Sequence, residues 1–185
     1  MASKHTVVLM SGGIDSAATV AICKDDASTL AGLFIDYGQS ARDSEWEAAQ
    51  RIAEHFAINV ARLKLSLEMS SRGGEYFGRN AHFVLTAAAS SAERPLAIAL
   101  GIHSQCPYYD TTPLFSKHMQ RLLDGYSGGE VTLIAPFLSY TKKEVIEFAE
   151  MNDVPIRMTY SCEHQNSPAC GQCPSCQDRR LVNAI

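Results

Sequence analysis

Thr6-Val7-Val8-Leu9-Met10-Ser11-Gly12-Gly13-Ile14-Asp15-Ser16 changes character twice along its length. Residues 6–10 form an apolar run rich in β-formers, Ser11-Gly12-Gly13 reads as a tight loop, and from about Ile14 to Lys24 the apolar positions follow helical spacing. Strand, loop and helix in that order predict the first unit of an α/β fold. The alternation continues outward. Leu30 to Ile35 predicts a second strand; Trp46, Ala49, Ala53 and Phe56 mark a helix from Asp43, and Asn59 to Leu63 a third strand. Ser66 to Gly78 has no clear period and reads as a loop, followed by a helix from about Asn80 to Ser91. Leu96 to Ile102 is a buried strand candidate, Pro113 to Leu123 a helix and Val131 to Ala135 a further strand. Thr141-Lys142-Lys143-Glu144 fits the capping box and opens a helix through Met151. This βα rhythm predicts a doubly wound parallel sheet of the Rossmann-like kind, with helices on both faces.

At 185 residues the chain is long enough for a real core, and one unit spanning 1–185 is expected. Its composition, 46% hydrophobic and 19% charged with 12 Gly and 7 Pro, excludes a disordered or fibrous chain. A net charge of −4 argues against a broad nucleic-acid surface, so a small-molecule substrate is the default. No apolar run approaches the roughly 18 residues of a membrane span, and the N-terminus does not read as a signal peptide. A cytoplasmic protein is expected.

The loop Ser11 to Ser16 lies where doubly wound folds keep their ligands, at the carboxyl end of a strand and the amino end of a helix. Two glycines let the backbone approach phosphate oxygens, the helix N-terminus offers unpaired N–H donors, and Ser11 and Ser16 add hydroxyls. The pattern is neither Walker A, which needs a lysine after the glycines, nor the dinucleotide fingerprint. A plain turn with Asp15 favouring the helix dipole would also account for it. The whole hexapeptide, however, resembles the PP-loop, SGGxDS, of the N-type ATP pyrophosphatases of the adenine nucleotide alpha hydrolase type. The resemblance implies that Ser11, Gly12, Gly13, Asp15 and Ser16 surround the phosphates of ATP. Asp15, an anion, would need a Mg²⁺ between itself and phosphate.

Six cysteines are present, and Cys162, Cys170, Cys173 and Cys176 follow C-x7-C-x2-C-x2-C, with Gly171 and Pro174 permitting tight turns. Four thiolates at this spacing predict a closed tetrahedral zinc knuckle at about 160–180, with an iron–sulfur cluster as the rival occupant. Cys23 reads as a core thiol, and Cys106 lies in a loop with no identifiable base beside it in sequence.

Glycine loop and cysteine cluster together resemble the 7-cyano-7-deazaguanine synthases of the queuosine pathway. The likeness also rests on Phe34-Ile35-Asp36-Tyr37-Gly38-Gln39, Gly78-Arg79-Asn80, Ala135-Pro136-Phe137 before the capping box, and Ser161-Cys162. It implies adenylation of 7-carboxy-7-deazaguanine by ATP, displacement of AMP by ammonia or another amine, and dehydration of the amide to a nitrile. Catalytic roles would fall on Ser11, Asp15, Ser16 and Arg79. Asp36 and Tyr37 would join the ATP site, while Gln39, Arg79, Asn80 and Asp110 would contact the substrate. A homodimer is implied as well. The chain departs from the family in length and in Cys106-Pro107-Tyr108-Tyr109-Asp110-Thr111-Thr112-Pro113, where a Cys-Arg pair has become Thr-Thr. A shortened homologue in CBASS-type antiphage defence, joining a deazaguanine to an amine of a protein partner, is one alternative. Others are a PP-loop tRNA-modifying enzyme and a silent scaffold.

Overall fold

The structure, a computed structural model, describes residues 5–25, 27–66, 71–72, 75–164 and 168–180. Its central sheet has five strands in the order β3-β2-β1-β6-β7, formed by β1 His5–Leu9, β2 Thr29–Asp36, β3 Asn59–Lys64, β6 Leu96–Leu100 and β7 Val131–Ile134. Every pairing is parallel, and β1 sits in the middle, with His5 opposite Thr29 on one side and Leu96 on the other. Successive residues of a strand point to opposite faces. Accordingly Val8 and Met10 join one core with Phe34 and Ala99, whereas Val7 and Leu9 join the other with Ile35 and Ile98.

Helices α1 Ile14–Lys24, α2 Arg42–Phe56 and α5 Lys142–Met151 cover the first face; α3 Arg79–Ser90 and α4 Pro113–Ser127 cover the second. Burial on both faces explains why β6 reads as an unbroken apolar run and β1 as one from Val7 onward. The doubly wound parallel fold expected from the βα rhythm is therefore present. The capping box is also formed: Thr141 Oγ1 accepts from the Glu144 N–H, and the Glu144 carboxylate accepts from the Thr141 N–H.

Three details differ from the sequence reading. Within the expected loop 66–78, β4 Ser71–Arg72 and β5 Glu75–Tyr76 pair as a short antiparallel hairpin, too brief to show a period. Helix α4 runs past Leu123 to Ser127, where Gly128 at φ 63 supplies its left-handed C-cap. A short helix, α6 Pro174–Arg179, begins inside the cysteine cluster, with proline in its first turn and Cys176 on its buried side. No helix among the described residues is long and apolar enough to cross a membrane.

Candidate active site and metal centre

The β1–α1 loop lies at the point where the sheet's connections reverse direction, between β1 and β6. Gly12 adopts φ +78, and a Cβ there would stand 2.4 Å from the Glu45 carbonyl oxygen, so only glycine fits where α2 presses on the loop. Gly13 is the N-cap of α1 and offers no side-chain cap, which leaves the helix's first N–H groups aimed at the crevice. Ser16 Oγ donates to the Gly13 carbonyl at 2.9 Å, and Ser11 Oγ lies 3.5 Å from Ser16 Oγ. Ser11 is exposed while Ser16 is buried.

Both oxygens of Asp15 accept from Lys142 Nζ at 2.7 Å. Lys142 is the first residue of α5, and its own N–H donates to Gln105 Oε1 at 2.8 Å. Three segments thus meet here: the glycine loop, the start of α5, and the loop after β6. Sequence reasoning treated Lys142 only as part of a capping box. The available signal was its place directly behind the N-cap of a helix that follows a strand, where a buried cation needs an anionic partner.

The β2–α2 loop carries a second polar cluster. Asp36 Oδ1 accepts from the Gly38 N–H at 3.1 Å and Oδ2 from Arg62 Nη2 at 2.7 Å. Burial works to raise this carboxyl, but the Arg62 and Gly38 donors outweigh it and hold its pKa below the ordinary value. Tyr37 packs edge-on against Tyr76 with ring centroids 5.3 Å apart, and its hydroxyl meets Arg79; burial raises its pKa against the pull of that guanidinium. Gln39 accepts from the Tyr37 N–H at 3.0 Å and donates to Glu45 at 2.9 Å. Burial likewise raises Glu45, opposed by Gln39 and by the charge of Arg79. Arg79 therefore lies among Tyr37, Glu45 and the crevice. Asn80 and Asp110 are brought together, but onto one another: Asp110 Oδ2 accepts from the Asn80 N–H at 3.1 Å and Asn80 Nδ2 donates to the Asp110 carbonyl at 3.0 Å. This exchange ties the start of α3 to the 3₁₀ turn Tyr109–Thr111.

One expectation is corrected by the tertiary structure. Cys106 does have a neighbour able to act on its thiol, His103, whose Nε2 is 3.5 Å from Sγ. The spacing of three residues through a loop gives no periodic signal, so only the folded backbone reveals the pair.

The four predicted cysteines converge, with all Sγ atoms within 4.8 Å of one another. Cys170 and Cys176 are 3.9 Å apart, close to the ~3.8 Å edge of a tetrahedron with metal–sulfur bonds of about 2.3 Å. Backbone N–H groups of Gln172 and Cys173 point at Cys170 Sγ, both at 3.5 Å, and lower that thiol to about 6. Burial pushes Cys176 up to about 12. Such a donor set fits a thiophilic cation: the N–H groups stabilise anionic sulfur, and a cation supplies what four crowded thiolates lack.

This cluster is fastened to the glycine loop. The Tyr160 N–H donates to the Gly12 carbonyl at 2.9 Å, Ser40 Oγ donates to the Glu163 carbonyl at 2.7 Å, and Arg179 Nη1 donates to Thr159 Oγ1 at 2.7 Å. The cysteine cluster and the glycine loop are one mechanical unit.

A parallel sheet with an uncapped glycine loop at its switch point defines an α/β fold of the doubly wound class, and solved structures share that fold. The NH3-dependent NAD synthetase from Campylobacter jejuni superposes with a TM-score of 0.53 at 17% identity, covering 85% of this chain and 68% of that one. The U34-tRNA thiolase NcsA from Methanococcus maripaludis gives 0.52 at 16% identity, covering 97% and 64%. At the level of family, the profile described as "Queuosine biosynthesis protein QueC" matches residues 5–74 and 76–182. Proteins named 7-cyano-7-deazaguanine synthase from Prochlorococcus marinus are 33% identical in strain AS9601 and 32% identical in strain MIT 9215, with 97% and 96% of this chain covered and 93% and 92% of theirs. The chain belongs to the QueC family. Its alignment with the AS9601 protein runs over 212 positions against 185 residues here, so this chain is shortened by internal gaps.

Proposed function

We propose that this protein activates the carboxylate of a 7-carboxy-7-deazaguanine-like substrate with ATP and amidates it, continuing to the nitrile as in 7-cyano-7-deazaguanine synthases. The observation that carries the reading is the uncapped N-terminus of α1 behind Gly12 and Gly13, facing the Asp15–Lys142 pair, in a chain of this family. A carboxylate is a poor electrophile because oxide is a poor leaving group. Transfer to AMP supplies a leaving group whose developing charge the loop's N–H donors and Lys142 stabilise.

Ser11, Gly12, Gly13 and Ser16 are assigned to the phosphates of ATP, and Asp15 to a bound Mg²⁺, which would neutralise phosphate charge. On that assignment Asp15 exchanges its contact with Lys142 for the metal, and Lys142 turns to phosphate. Asp36 shapes the turn that presents Tyr37 beside the nucleotide, its own carboxylate being taken up by Arg62 and Gly38. Arg79 is the substrate-side cation, held by Tyr37 and Glu45. Gln39 orients Glu45, and Asn80 with Asp110 set the position of the helix that bears Arg79. The four cysteines hold a structural Zn²⁺. Residues 1–185 act as a single domain and pair as a homodimer.

Mass spectrometry of reactions containing protein, ATP, Mg²⁺ and 7-carboxy-7-deazaguanine, with and without ammonia, tests the reading. AMP, pyrophosphate and nitrile are expected, and Asp15→Ala abolishes all three. Accumulation of amide alone would restrict the protein to the first half of the sequence; no turnover with this carboxylate would refute the substrate assignment.

A further inference from the structure

The crevice at the switch point has two walls. One is the glycine loop after β1; the other is the loop after β6, which carries His103 and Cys106. The walls are close: a Cβ on Gly101 would lie 2.8 Å from the Asp15 carbonyl oxygen, and Gln105 binds the Lys142 N–H. Cys106 directly follows Gln105 in this wall, and the charges of Asp15, Lys142, Asp178 and Arg79 all reach its thiol. It is partly exposed, whereas His103 beside it is only 6% exposed.

One hydrogen bond of His103 bears on its tautomer. The Gln105 N–H donates to His103 Nδ1 at 3.3 Å, so the neutral ring carries its proton on Nε2. Cys106 Sγ lies beside the ring, 3.5 Å from Nε2 and 4.0 Å from Nδ1. Burial lowers the His103 pKa and raises that of Cys106, so the pair rests as neutral imidazole and thiol. An imidazole N–H turned onto sulfur binds more strongly as the sulfur becomes negative, which is the requirement for stabilising a thiolate during attack or departure.

We propose that Cys106 is an acyl acceptor in this crevice, taking the substrate's acyl group from the adenylate as a thioester before an amine receives it. This rests on the adenylation reading above. In the first step Sγ bonds to the acyl carbon, the bond from that carbon to the phosphate oxygen breaks, and AMP leaves with the electron pair and the thiol proton. In the second, the amine nitrogen bonds to the same carbon, the carbon–sulfur bond breaks, and the thiolate takes the proton that the amine sheds. Nothing is oxidised or reduced. In both steps a turn of the His103 ring brings Nε2–H onto the sulfur, and the thioester keeps the acyl group from water while AMP is exchanged for the amine.

The test uses the full chain with ATP, Mg²⁺ and 7-carboxy-7-deazaguanine, without amine, quenched in acid for intact-mass and peptide mass spectrometry. ATP–pyrophosphate exchange is followed in parallel. The expected result is an adduct of the acyl group's mass on the Cys106 peptide, discharged to amide by ammonia and to hydroxamate by neutral hydroxylamine. Cys106→Ala loses the adduct; Cys106→Ser holds the acyl group as an ester that ammonia discharges more slowly. Exchange without any adduct on the wild-type chain, or an adduct mapped to another residue, would overturn the thioester and leave the adenylation reading standing. Absence of exchange would overturn the adenylation reading and the thioester with it.

Discussion

Gly12→Ala is the most direct probe of how the phosphate-type loop is built. Two costs follow from the geometry. At φ +78 an L-residue meets the strain of the left-handed region, about 1–2 kcal/mol. The new methyl would also stand 2.4 Å from the Glu45 carbonyl oxygen, a backbone atom that yields only if α2 shifts, which adds about 1–3 kcal/mol by analogy with overpacking. Gly128→Ala separates the two, because Gly128 has φ +63 with nothing within 4 Å of its ideal Cβ. The control should carry only the backbone cost. At this chain length 1 kcal/mol corresponds to roughly 2–4 °C in Tm, so Gly12→Ala should melt lower than Gly128→Ala by ~2–12 °C. Differential scanning calorimetry reads the difference, and ATP–pyrophosphate exchange should be lost in Gly12→Ala alone. Equal melting temperatures would refute the placement of the Gly12 Cα against the Glu45 carbonyl.

Three further outcomes are expected. Because Tyr160 bonds the Gly12 carbonyl, stripping the metal with a strong chelator, or Cys173→Ser, should lower both Tm and exchange activity; metal released with exchange unchanged would break that link. Lys142→Ala should slow exchange by about 10²–10³-fold, the usual effect of removing one donor from a developing anion, whereas a change below about threefold would exclude a role for its ammonium. The depressed pKa of Asp36 contributes stability that is fully present above its unfolded value of 3.8 and disappears as the pH falls through the lower folded value. Urea midpoints of the wild type and Asp36→Asn should therefore differ near neutrality and converge in that acid window; a gap that persists there would mean the carboxylate's charge is not the source.

The two halves of the site differ in how far local sequence describes them. The cysteine knuckle was legible because all four thiols lie within one short segment whose spacing alone limits where sulfur atoms can go. The glycine loop was legible for a similar reason: strand, loop and helix are contiguous, so their periodicities fix where the loop sits. Gln39, Asp36 and Tyr37 were visible as a motif, yet their hydrogen bonds to Glu45, Arg62 and Arg79 cross from one element to another. Asn80 and Asp110 were visible as polar residues, but not as each other's partners across thirty positions.

By itself the sequence determined the α/β rhythm, the strand that must be buried on both faces, the capping box of α5, the position of the glycine loop and the four-cysteine cluster. Each depends on residues near one another in the chain, where spacing translates directly into geometry. Tertiary structure alone decided that Lys142 meets Asp15, that Tyr160 braces Gly12, and that His103 with Cys106 forms the wall facing both. The physical reason is the parallel sheet. It sets β1 beside β6 although most of the first half of the chain separates them, and so gathers at one crevice side chains that no local pattern connects.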